Sequence, residues 1–91
     1  MKARLLRIAG RVQGVGYREW LLREARRNGI SGWVRNRGDG TVEALLAGEE
    51  DGLNAVLTAC RRGPPLALVT SIEEHFAEPP EEPGFTRRAS L

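Results

Sequence analysis

From Ala3 to Ala9 the chain alternates, with Leu6 and Ile8 facing one way and Leu5 and Arg7 the other, and that period of two predicts a strand. The period then lengthens: between Glu19 and Asn28, Leu21, Leu22 and Ala25 fall on one helical stripe. Glu19 in the first turn and Arg26 and Arg27 in the last suit the helix dipole, and Asn28-Gly29 supplies a left-handed stop. Alternation returns over Ile30 to Arg37, with Val34 and Asn36 on one face and Trp33, Arg35 and Arg37 on the other. Gly38-Asp39-Gly40 is a tight-turn signal, and Thr41 to Ala47 comes back with Val42, Ala44 and Leu46 aligned, so the two runs read as a hairpin. Gly48 to Asp51 leads a second helix with acids at its positive end and a stripe of Leu53, Val56, Leu57 and Cys60. Arg61-Arg62-Gly63-Pro64-Pro65 ends it. Leu66 to Phe76 is a fourth strand, apolar at Leu66, Leu68, Val69 and Ile72, with an uneven alternation that leaves room for a bulge. Glu78 to Gly84 is acidic, rich in proline and hence a loop, and Phe85 to Ser90 offers a short edge strand.

The order strand, helix, strand, strand, helix, strand is the split βαβ arrangement of the ferredoxin-like α+β class: an antiparallel sheet with two helices on one face. Residues 1–91 suffice for one small domain with one core. The same architecture carries enzymes, regulatory modules and RNA binders, so function has to come from particular residues.

Composition narrows the classes. No apolar run approaches the ~20 residues of a membrane span, and the beginning of the chain lacks a signal-peptide pattern, so the expected setting is the cytoplasm, without a membrane partner. Cys60 is the single cysteine and His75 the single histidine; neither has a partner at ligand spacing, so no metal site and no cofactor are expected. The net charge is only +2, yet residues 1–40 hold ten Lys/Arg against three Asp/Glu, a bias that favours an anionic partner.

The chemistry concentrates in Gly10-Arg11-Val12-Gln13-Gly14-Val15-Gly16-Tyr17-Arg18, between the first strand and the first helix. Gly14 and Gly16 can adopt positive φ and let backbone amides turn toward one anion at a helix N-terminus, while the Arg18 guanidinium matches two phosphate oxygens. The same residues also suit a plain turn beside a solvated arginine. The spacing fits neither a Walker A loop nor the dinucleotide fingerprint.

This segment, followed by Gly32-Trp33-Val34-Arg35-Asn36-Arg37, Gly40-Thr41-Val42-Glu43 and Gly63-Pro64-Pro65, resembles the signature segments of the acylphosphatase family over roughly Arg4 to Glu74. Tyr17 stands where that family often has phenylalanine, and Phe85 to Leu91 is only loosely similar to its last strand. The resemblance implies hydrolysis of acyl phosphates without a metal. Arg18 and Asn36 are the implied catalytic residues: Arg18 binds phosphate together with the loop positions Gln13, Gly14, Val15, Gly16 and Tyr17, and Asn36 orients the attacking water. A carboxylate leaving group needs no general acid, which agrees with the lack of a histidine or an acidic pair near the loop. Nothing in the sequence specifies the acyl group, and carbamoyl phosphate stays open.

Two other functions compete with this one. An RNA-binding module would stack bases on sheet aromatics, but the first and third strands contain none, so no nucleic-acid partner is expected. A non-catalytic anion-binding regulatory domain would need Arg18 but not Asn36. The expected partner is a small acyl phosphate, met by a monomer.

Overall fold

The computed structural model describes residues 1–91. Its elements are β1 (Lys2–Arg11), α1 (Tyr17–Arg27), β2 (Ser31–Asn36), β3 (Val42–Gly48), α2 (Glu50–Arg62), β4 (Leu68–Phe76) and β5 (Phe85–Arg87). They form one sheet in the order β4-β1-β3-β2-β5. The pairs β1/β3, β1/β4 and β2/β3 are antiparallel as expected, but β5 runs parallel to β2, with Gly32 opposite Phe85 and Val34 opposite Arg87. The sheet is therefore mixed rather than antiparallel throughout. The cause lies in the Pro-rich segment between β4 and β5: it carries the chain from one edge of the sheet to the other, so the last strand enters beside β2 and runs in the same direction.

The anticipated stripes meet in the core. Leu6 and Ile8 of β1, Val34, Val42, Ala44 and Leu46 of the hairpin, Leu21, Leu22 and Ala25 of α1, and Leu53, Val56 and Cys60 of α2 form one cluster of buried residues, which Phe85 joins from β5. Leu57 lies at its margin, half-buried. The expected bulge is present: Ala9 pairs with Ser71 but Gly10 with Val69, so Thr70 has no counterpart on β1. Gly10 (φ 122°) allows it, since a Cβ there would sit 2.1 Å from the Leu68 carbonyl oxygen. Strand β4 begins two residues later than expected because Ala67 N–H donates to the Pro64 carbonyl (3.0 Å) and closes a turn, which leaves Leu66 and Leu68 exposed.

Helix α1 starts at Tyr17, two residues before the sequence pattern indicated, because Tyr17 itself is a core residue, 1% exposed. Its hydroxyl donates to the Cys60 carbonyl at 2.7 Å, tying the start of α1 to the last turn of α2. Burial raises the Tyr17 phenol well above its ordinary value and pushes the Cys60 thiol up to about 12, so both stay protonated and unreactive at neutral pH. Tyr17→Phe leaves that carbonyl without its donor. It is expected to lower stability by about 1–2 kcal/mol, seen as an earlier urea midpoint at unchanged slope; an unchanged midpoint would show that the hydroxyl does not brace the helices.

On the opposite face of the sheet, the Glu43 carboxylate is 7% exposed and meets Arg35 Nε (2.7 Å) and Arg37 Nη1 (3.4 Å). Two of the basic residues that bias the first forty positions are thus neutralised within the sheet. Trp33, on the same face, carries the guanidinium groups of Arg35 and Arg88 at 4.9 and 4.6 Å from its ring. No helix is long and apolar enough to cross a membrane.

Candidate active site

Strand direction decides where the reactive groups gather. Because β1, β2 and β5 run the same way, their carboxyl ends lie at one end of the sheet, and α1 begins there too. The end of β1 leads into the glycine loop, the end of β2 is Asn36, and the end of β5 is Arg87. Together they enclose a cavity of about 170 Å³ lined by Val12, Gly14, Gly16, Tyr17, Arg18, Glu19, Asn36 and Arg87. One water occupies about 30 Å³ of liquid, so this space has room for a group of phosphoryl size and a water beside it.

The loop leaves its donors free. Gly14 (φ 72°) and Gly16 (φ 80°) are left-handed, and a Cβ built on either would meet no atom within 4 Å: their fitness lies in backbone shape, not in crowding. The first bond of α1 runs from Trp20 N–H to the Gly16 carbonyl (3.0 Å), and the amides of Gln13, Gly14, Val15 and Gly16 donate to no backbone carbonyl. A serine or aspartate at the cap would occupy amides of the first turn with its own side chain; Gly16 makes no such bond. A row of unpaired N–H groups at the positive end of a helix dipole is an arrangement that suits an anion.

Two side chains complete it. Arg18 makes no ion pair and no hydrogen bond, so its charge is free to meet an anion in the cavity. Asn36 Oδ1 is buried and has no hydrogen-bond partner. An unsatisfied buried carbonyl costs about 1–3 kcal/mol, and the residue that carries it lines the cavity. The position of Asn36 follows from strand parity: it lies two residues after Val34, which is fully buried on the helix side, and its own carbonyl accepts from Leu91 N–H (3.0 Å).

Of the sequence-derived set, the structure brings Gly14, Gly16, Tyr17, Arg18 and Asn36 to one cavity; Gln13 and Val15 are absent from its wall. The Gln13 side chain is spent elsewhere: Nε2 donates to the carbonyls of Arg37 (2.8 Å) and Thr41 (2.9 Å), stapling the loop to the β2–β3 turn beside Asn36. Only its backbone amide remains for an anion. Tyr17 also directs its hydroxyl away, into the core. Val12, Glu19 and Arg87 also line the cavity, beyond the residues expected there from sequence. Glu19 registered only as a first-turn acid, and nothing local to Arg87 signals that β5 would deliver it to β2. No group of three or more His, Cys, Asp or Glu gathers where it could hold a metal.

Comparison with known proteins places this geometry in context. The acylphosphatase family model matches residues 5–87. A curated acylphosphatase of Acidiphilium cryptum is 60% identical over 90 residues, covering 99% of both chains. The crystal structure of acylphosphatase from Bacillus subtilis superposes with a TM-score of 0.90 at 36% identity, covering 97% of this chain and 99% of that one. HypF from T. kodakarensis is similar over 100% of this chain but only 12% of its own length, with a TM-score of 0.86 at 30% identity.

Proposed function

The chain belongs to the acylphosphatase family and is an acylphosphatase, an enzyme whose substrate is an acyl phosphate; from that premise we propose that Arg18 and Asn36 are its catalytic residues. The phosphoryl group lies on the loop amides from Gln13 to Tyr17 and against the Arg18 guanidinium. Asn36 Oδ1 accepts a hydrogen bond from a water and turns a lone pair of that water toward phosphorus. As the water oxygen bonds to phosphorus, the bond from phosphorus to the acyl oxygen breaks, the carboxylate departs with the electron pair, and a phosphoryl oxygen takes the water proton. The observation that carries this reading is that Asn36, whose buried side-chain oxygen has no partner, lines the same cavity as the unpaired Arg18.

Magnitudes favour electrostatics over acid–base chemistry. A guanidinium ~4 Å from a phosphoryl charge at an effective dielectric near 20 is worth about 4 kcal/mol. A stable carboxylate leaving group asks for no proton donor; the one carboxyl group in the wall, Glu19, is engaged by Arg87, and His75 is exposed on β4, 3.5 Å from Glu73 and absent from the wall. No side-chain cluster offers a metal three ligands, so we take the reaction to proceed without one. The family match over residues 5–87 supports residues 1–91 acting as one domain on a small molecule. The lone, buried Cys60 is compatible with the cytoplasm.

A substrate panel tests this reading. Benzoyl phosphate should be hydrolysed at the same rate with and without EDTA, while an aryl phosphate monoester should be turned over at least about a thousandfold more slowly, since the one carboxyl group in the wall, Glu19, is engaged by Arg87 and no histidine is there to protonate an alkoxide or phenoxide. Comparable rates on both, or a loss on chelation that added metal restores, would refute the mechanism.

A further inference from the structure

We propose that Arg87 recognises the acyl end of the substrate and favours acyl groups that carry a second negative charge. The proposal rests on the assignment of the glycine loop and Arg18 to the phosphoryl group. Position around the cavity separates the two ends. The loop residues Gly14 and Gly16 form one exposed stretch of its wall, and the side chains of Arg87 and Glu19, 45% and 50% exposed, form another. With phosphorus on the loop amides and Arg18, an acyl substituent directed away from the loop passes Arg87 and Glu19, which face each other there.

The fold puts Arg87 there for a definite reason. It pairs with Val34 across the parallel β2/β5 ladder, so it shares the helix-side face with Val34 and, two residues on, Asn36. The segment is anchored by Phe85, which is buried in the core and whose carbonyl accepts from Arg26 Nε (3.2 Å) and Nη2 (3.0 Å). An arginine on this short strand is therefore a fixed feature of the cavity wall, not a tail residue passing by.

Its only polar partner is Glu19, through one contact, Nη1 to Oε2 at 2.9 Å. A guanidinium has five N–H donors, so most remain for a ligand. The pair is half exposed and single-pronged, the kind of ion pair that contributes about 0–1 kcal/mol and yields to a better-placed anion. Glu19, for its part, is a carboxylate in the wall of an anion site, and without its counter-ion it would repel a charged acyl group. Arg87 thus acts twice: it offers donors to a distal carboxylate and it masks Glu19.

The two residues should therefore move selectivity in opposite directions. The probes are benzoyl phosphate and its 3-carboxy and 4-carboxy derivatives, whose rigid rings hold the extra carboxylate away from their own acyl carbon. The readout is the ratio of kcat/KM for the better carboxylated substrate to kcat/KM for benzoyl phosphate, both measured on one enzyme preparation, so any loss of folded protein cancels. Arg87→Gln should lower that ratio about tenfold, the worth of one charge-assisted hydrogen bond, and Glu19→Gln should raise it about threefold. A ratio within twofold of wild type in Arg87→Gln, or a shift of the same sign in both variants, would overturn the proposal. Arg18→Ala run in parallel should abolish turnover of all three substrates together. If it does not, the assignment of the loop and Arg18 to the phosphoryl group fails, whatever the ratio shows for Arg87.

Discussion

Arg18→Ala is expected to lower kcat/KM on benzoyl phosphate by roughly a thousandfold or more, raising KM and lowering kcat together. The size follows from about 4 kcal/mol of attraction between a guanidinium and a phosphoryl group, of which each 1.36 kcal/mol is a factor of ten in rate. Both parameters should move because the charge is present when substrate binds and is used more fully as the transferring oxygens gather negative charge. The structure sharpens the expectation. Arg18 has no carboxylate partner to be released by the mutation, so the measured loss reports the substrate contact itself and not a rearranged ion pair. Arg18→Lys should recover little, since an ammonium is a point charge that cannot span two phosphoryl oxygens. Steady-state kinetics decides the matter: a loss under tenfold in Arg18→Ala would remove this residue from the mechanism.

Asn36→Ala should show a different signature, a fall in kcat of about a hundredfold or more with KM little changed. The carboxamide is assigned to the water, and substrate binding does not depend on it. Truncation removes a buried oxygen that the protein itself leaves without a donor, so no intramolecular hydrogen bond is lost and the folded state should not suffer. Asn36→Asp keeps the shape but sets a negative charge beside the phosphoryl group, and so should raise KM as well as lower kcat. A wild-type kcat in Asn36→Ala would assign the water to another group. An equal rise in KM would instead make Asn36 a substrate ligand.

Most of the architecture could be read from local pattern, because the forces that set it are local. The stripes Leu21, Leu22 and Ala25 and Leu53, Val56 and Cys60 are buried as their periods require, and the parity linking Val34 to Asn36 placed the carboxamide on the helix side of the sheet. What escaped depends on partners far away in sequence. The Gln13 amide is committed by carbonyls 24 and 28 residues distant, and no feature of its own neighbourhood reveals that. The parallel sense of β5 could not be read from three residues after a proline-rich loop, and with it went the location of Arg87. Leu66 and Leu68 looked like core positions by composition, but an edge strand opened by a Gly-Pro-Pro turn turns them to solvent.

The late arrival of β5 has an evolutionary consequence. The groups proposed to handle phosphorus come from the first forty residues, whereas the residue proposed to meet the other half of the substrate rides on a three-residue ribbon at the far end of the chain, held by Phe85 and the Arg26 clasp. This is a division of labour between reaction and taste. Substituting position 87 can retune which metabolites are accepted while the hydrolytic apparatus is inherited untouched, so related enzymes can diverge in diet without reinventing their chemistry.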